Sequence, residues 1–138
     1  MVDVNLVWQT EGRLSVVVHG HHAPTNLEWE RYLNHTRQNV SIPDLVVLVL
    51  TLGGSPDGKQ RQGMADVARQ DYPHPPPVAM LTGSVIVRSV MKLSTMFNPY
   101  IRCFSPDHLA LAYAYLDLSS SEQERAKRTL DALTTQVV

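Results

Sequence analysis

The segment Gly53-Gly54-Ser55-Pro56-Asp57-Gly58-Lys59 carries the G-x-x-x-x-G-K spacing of a phosphate-binding loop. In such a loop backbone amides surround the phosphates, the lysine reaches them, and a serine or threonine after the lysine ligates magnesium. Here the position after Lys59 is Gln60. Ser55-Pro56 reads as an N-cap with proline at the first helical position, so the helix starts too early for Gly58 and Lys59 to close around a phosphate. Neither later strand, Pro77–Thr82 or Tyr100–Phe104, ends in an aspartate suited to hold the metal. The segment therefore reads as a glycine-hinged turn from strand to helix, with Lys59 and Arg61 exposed.

Three imidazoles within four positions, His19, His21 and His22, have the chemistry to hold zinc or copper. His19 and His21 share a strand face only if the strand runs on through Gly20, and His22 then points away. His35 falls inside the next helix, and Glu28 and Glu30 are accounted for by that helix's first turn. The alternatives are a small metal-dependent enzyme and a solvated loop. Cys103 alternates with Arg102 and Phe104 and reads as a small buried thiol; the histidine a nucleophile would need, His108, sits at a helix start. Ser15, Ser94 and Ser119 lie in no G-x-S-x-G elbow. Arg61, Arg69, Arg88 and Arg102 form an anion surface only if the fold gathers them. No cofactor follows from these patterns.

The elements that must position these residues are legible in the apolar pattern. Asn5–Gln9 and Leu14–Val18 read as strands joined by a turn at Thr10-Glu11-Gly12. Thr25 and Glu28 have capping-box spacing, and Trp29, Leu33 and Thr36 with Tyr32 beside them face away from Glu30, Arg31 and Arg37. Leu45–Leu50 is continuous and rich in β-branched residues, as in a central strand covered on both faces. Ser55–Gln70 is a second helix, and the proline-rich Tyr72–Pro77 is a stiff linker. Pro77–Thr82 is a strand. Ser84 opens a helix with Ile86, Val90, Met91, Leu93 and Phe97 at helical spacing, and Tyr100–Phe104 is another strand. Asp107–Leu116 and Ser121–Gln136 are the last helices, the second with a capping box at Ser121 and Glu124. After the opening hairpin the strands and helices alternate, which implies an α/β fold: a mixed, largely parallel sheet of four or five strands with helices packed on it.

At 138 residues the chain fits one domain with its own core. Apolar residues at 43% and charged residues at 18% match a soluble globular protein, and a formal charge of −1 gives no nucleic-acid footprint. The single cysteine, an N-terminus without a secretory pattern and no apolar run long enough to span a bilayer point to the cytoplasm, without membrane insertion. In a parallel sheet Gly53, Gly54 and Ser55 share the carboxyl edge with Gly83-Ser84 and Ser105-Pro106, where open α/β sheets bind ligands. Helix-start amides favour negative charge there, so a phosphate on Ser55 would sit in a supportive field.

The element order resembles the STAS domain, the fold of bacterial anti-sigma-factor antagonists and sulfate-transporter tails. The residues behind the comparison are PTNLEWERYL, LVVLVLTLGGSPDGKQRQGM, PVAMLTGSVIVRSVMKLSTMFNPYIRCF and ALAYAYLDL, from about Val4 to Leu118. The family's informative motif is an aspartate-serine pair after the third strand, whose serine a partner kinase phosphorylates. This chain has Gly54-Ser55 there, followed by proline. The resemblance implies a non-catalytic domain that works through protein contacts. Ser55 would be the switch position, and Gly53, Gly54, Ser55, Lys59, Arg61, Ser84 and Arg88 the contact surface. A lipid or small-ligand carrier built on a similar architecture is a further alternative, with Met91, Met96 and Phe97 near Trp29 or Tyr32. The apolar side of the last helix (Ala126, Leu130, Leu133, Val137) or a sheet edge could support a homodimer, or the helix side could be ordinary core.

Overall fold

The computed structural model describes residues 3–94 and 98–138. β1 (Leu6–Glu11) and β2 (Leu14–His19) form an antiparallel hairpin in which Thr10 pairs with Ser15. β3 (Val46–Thr51), β4 (Val78–Leu81) and β5 (Ile101–Phe104) then add in parallel, giving one five-stranded sheet in the order β1-β2-β3-β4-β5. The fold is α/β, with a mixed and mostly parallel sheet.

The strand order never reverses. Right-handed crossovers then carry every connecting helix to the same face of the sheet. α1 (Asn26–Gln38), α2 (Gly58–Asp71) and α3 (Val85–Ser94) do lie there: Trp29, Tyr32, Leu33, Val67 and Val87 join Leu6, Val17, Val47, Val49 and Met80 in one core. α4 (Leu109–Tyr115) and α5 (Ser120–Thr134) cover the opposite face, where Ala112, Leu116, Ala126, Leu130 and Leu133 meet Val16, Val18, Leu48 and Leu81. The period-two alternation of side chains explains why β2 and β3 are apolar at nearly every position: both faces are covered. The apolar side of α5 is therefore core.

Capping sets the helix starts. Thr25 and Glu28 form the expected box, and the Glu28 carboxylate also accepts from Asn5 N at 2.8 Å and Leu6 N at 3.3 Å, tying α1 to the entry of β1. Two starts differ from expectation. α5 is capped by Ser119 with Glu122, two residues before Ser121 and Glu124. Glu122 is the carboxylate that also reaches Arg13 Nε at 2.8 Å, so the earlier start anchors the helix to the β1–β2 turn, and the ion pair holds the Glu122 carboxyl down at about 2. α2 begins at Gly58 with Asp57 as N-cap, not at Ser55. In α3 Val87 is buried and Ile86 is exposed, which reverses the expected facing of Ile86. Met96 and Phe97, and the side chains of Val90, Met91 and Leu93, lie outside the described residues. No described helix is long and apolar enough to cross a membrane.

Candidate functional site

The glycine-rich loop between β3 and α2 is built by contacts with the loop after β2. Leu52 N donates to His19 O at 3.0 Å and Gly54 N to Gly20 O at 2.8 Å. A Cβ on Gly54 would lie 2.2 Å from His22 O, so backbone passes where any side chain would stand. Gly53 has φ +134°, a conformation L side chains rarely adopt. These two glycines let two loops pack backbone to backbone.

Gln60, the residue standing where a P-loop has its magnesium ligand, holds this corner together. Its side-chain amide nitrogen donates twice, to Pro24 O at 2.9 Å and Asn26 Oδ1 at 3.1 Å, while its Oε1 accepts from Asp57 N at 2.9 Å. Its carbonyl accepts from Trp29 Nε1 at 2.8 Å. The Asp57 carboxylate accepts from Gln60 N at 2.8 Å. A carboxylate therefore occupies the helix start that a phosphate would need, and like charge opposes binding there. This replaces the expected reason, an early start at Ser55, by an electrostatic one. Ser55 is half-buried between buried Gly54 and buried Pro56, and Arg61 folds back to donate to Pro56 O at 2.8 Å. Lys59 is exposed.

The next loop repeats the arrangement. The Ser84 hydroxyl accepts from Val87 N at 3.2 Å, as a cap should, and Arg88 Nη2 donates to Thr82 O at 3.1 Å. Leu50 and Leu81 are register partners, so the loops with Ser55 and Ser84 leave neighbouring strand ends. Arg61 and Arg88 each clamp a backbone carbonyl at this edge. Arg69 instead pairs with Asp66 on α2, and Arg102 lies 4.9 Å over the Tyr115 ring on the other side of the sheet. The four arginines do not gather, and a sheet without order reversal has no crevice of the switch-point kind.

The three histidines are also separated. β2 ends at His19, which is buried against Trp29 with ring centroids 6.3 Å apart, whereas His21 and His22 are exposed in the loop. No group of three or more potential metal ligands occurs among the described residues. Burial lowers His19 to about 4, despite nearby Glu28, so its imidazole is neutral at pH 7. Burial likewise pushes the Cys103 thiol up, partly opposed by Arg88, which is the reverse of nucleophile activation.

Two features were not anticipated from sequence. One is a polar cluster of Thr10, Ser15, His35 and Asn39: Thr10 Oγ1 lies 2.9 Å from Ser15 Oγ and 2.7 Å from His35 Nε2, and Asn39 Nδ2 lies 3.1 Å from that nitrogen. The available signals were the cross-strand pairing of Thr10 with Ser15 and the i,i+4 spacing of His35 and Asn39. The cluster latches the hairpin to α1, and among the described residues His35 donates no hydrogen bond to a carboxylate that would orient it as a catalytic base. The second is a cavity of about 170 Å³ between the sheet and the α1–α2 layer. Val17, Val47, Val49 and Met80 form its sheet side, and Trp29 and Met64 stand opposite.

No family model, no curated protein and no solved structure matches the chain. The fold and site define it as an α/β domain whose loops at the carboxyl edge are locked together by backbone contacts.

Proposed function

We propose that the chain is a non-catalytic interaction module of the STAS-like kind, which docks a protein partner through the loops at the carboxyl edge of β3 and β4. The observation that carries this reading is the first turn of α3. Val85 and Ile86, directly after Ser84, are 74% and 77% exposed. Two adjacent β-branched side chains held in water at a helix start give a partner apolar surface to cover. Lys59 in the first turn of α2 adds a charged rim.

Ser55 is the switch position in this reading. Arg61 already lies over the Pro56 carbonyl, within the same loop, and would pair with a phosphate on Ser55. Asp57 opposes that charge, so phosphorylation would pull Arg61 away from Pro56 and reshape the loop. The test is quantitative affinity capture with the intact wild-type chain and the Ile86→Asp, Ser55→Ala and Ser55→Asp variants, each checked for an unchanged thermal melt. Ile86→Asp is expected to lose partners that the wild type retains, and Ser55→Asp to differ from Ser55→Ala. Equal recovery by wild type and Ile86→Asp would overturn the docking surface; equal recovery by the two Ser55 variants would remove the switch.

A further inference from the structure

The two edges of the sheet are finished differently. At the β1 edge the Glu28 carboxylate takes the Asn5 and Leu6 amides. At the β5 edge Val78 N donates to Tyr100 O at 3.1 Å and Thr82 N to Phe104 O at 3.0 Å, so Tyr100, Arg102 and Phe104 turn their backbone groups to β4. Ile101 and Cys103 turn theirs outward. Asn98 O accepts from Ile101 N at 3.4 Å, and the Cys103 N–H and C=O have no backbone partner among the described residues. An open strand edge is a template for another strand.

α4 stands beside this edge. Leu109–Leu116 holds no charged residue, and a helix apolar on every side belongs in an interior. Yet Leu111 is 56% exposed. It lies one turn before Tyr115, which leans toward β5: the Tyr115 ring is 5.9 Å from that of Phe104, and its hydroxyl donates to Tyr100 O. Leu111 therefore faces the side on which the sheet ends.

We propose that β5 pairs antiparallel with β5 of a second copy of this chain, about a two-fold axis at Cys103. Such an interface is self-complementary by symmetry. The axis sets Cys103 opposite its own copy and Arg102 opposite Phe104 of the second copy. No like charges meet, and the Arg102 guanidinium, already 4.9 Å over the Tyr115 ring, gains a second aromatic neighbour. The helix spacing fits as well. α4 packs on both β4 and β5, which places its axis about half a strand spacing inside β5, and the two-fold lies half a spacing outside. The two α4 helices then stand roughly 10 Å apart, the distance of packed helices, with Leu111 between them. Four residues of strand bury too little for a stable dimer, and the helix pair supplies the apolar remainder. A foreign strand would satisfy the Cys103 backbone but leave Leu111 in water, so the second copy is the better occupant. This surface is separate from the docking edge of β3 and β4 and does not depend on it.

The test is sedimentation equilibrium of the intact chain under reducing conditions, from roughly 1 to 100 μM. The wild type is expected to approach twice the 15.4 kDa chain mass. Leu111→Glu changes an exposed position, and Cys103→Pro removes the outward N–H and no bond to β4. Each is expected to weaken dimerisation at least about tenfold, while the thermal melt at low concentration stays cooperative. Mild oxidation of the wild-type dimer is expected to link the two Cys103 thiols, because a hydrogen-bonded antiparallel pair holds its Cα atoms about 5.5 Å apart. A wild type that stays monomeric throughout overturns the proposal. A dimer that survives either variant places the interface elsewhere, and a dimer that oxidation leaves unlinked refutes the axis at Cys103.

Discussion

Acidification should destabilise the protein through His19. The imidazole ordinarily titrates near 6.5, and burial holds it at about 4 in the folded chain. As pH falls below 6.5 the unfolded chain takes up a proton that the folded chain refuses, so unfolding becomes easier. The loss begins near 6.5 and levels off below about 4, where both states carry the proton. A shift of this size sets a ceiling of about 3 kcal/mol, of which about 2 kcal/mol has accumulated by pH 5. The carboxyls of Glu28 and Glu122, both held below their ordinary value, are present in both proteins being compared. His35 is shifted the same way by burial and stays in place in the comparison. The assay is urea unfolding of wild type and His19→Phe at pH 7 and pH 5. The wild type is expected to lose about 2 kcal/mol more than the variant between the two conditions. Equal losses would show that the folded chain accepts the proton at its ordinary pH, and the burial argument for His19 would be refuted.

Two further outcomes follow from the loop contacts. Glu28→Ala is expected to cost about 2 kcal/mol in urea unfolding at pH 7, since one carboxylate both caps α1 and receives Asn5 and Leu6 amides. Burial raises that carboxyl, but the hydrogen bonds from Thr25 and Asn5 outweigh it and hold it below its ordinary range, so this stability is lost as pH falls through the folded value. Gly54→Ala is expected to cost about 1–3 kcal/mol because its Cβ would meet the His22 carbonyl, whereas Gly83→Ala, with nothing within 4 Å, should change stability by less than about 0.5 kcal/mol. Equal effects of the two alanines in a thermal melt would contradict the loop-packing account of Gly54.

Much of the architecture was readable from local chemistry. Leu45–Leu50 had to be a strand covered twice, because six apolar residues in a row leave no wet face, and Thr25 with Glu28 had to open a helix. Local rules failed where several residues satisfied the same rule. Ser119, Ser120 and Ser121 precede two glutamates, and only Arg13, distant in the chain, selects the Ser119–Glu122 pair. Ser55-Pro56 and Asp57 compete to start α2, and Gln60's long-range bonds to Pro24 and Asn26 decide for Asp57. Ile86 fits an apolar stripe, but the sheet takes Val87 instead.

The amino-acid order alone determined the succession of strands and helices and the two-sided burial of the central strands, since these depend on neighbours a few positions apart. Which histidine is buried, which arginines share an edge and whether a void remains under α1 and α2 were decided only when the sheet brought distant segments together. Burial and unpaired hydrogen-bonding groups are properties of that assembled packing, and no short stretch of chain contains them.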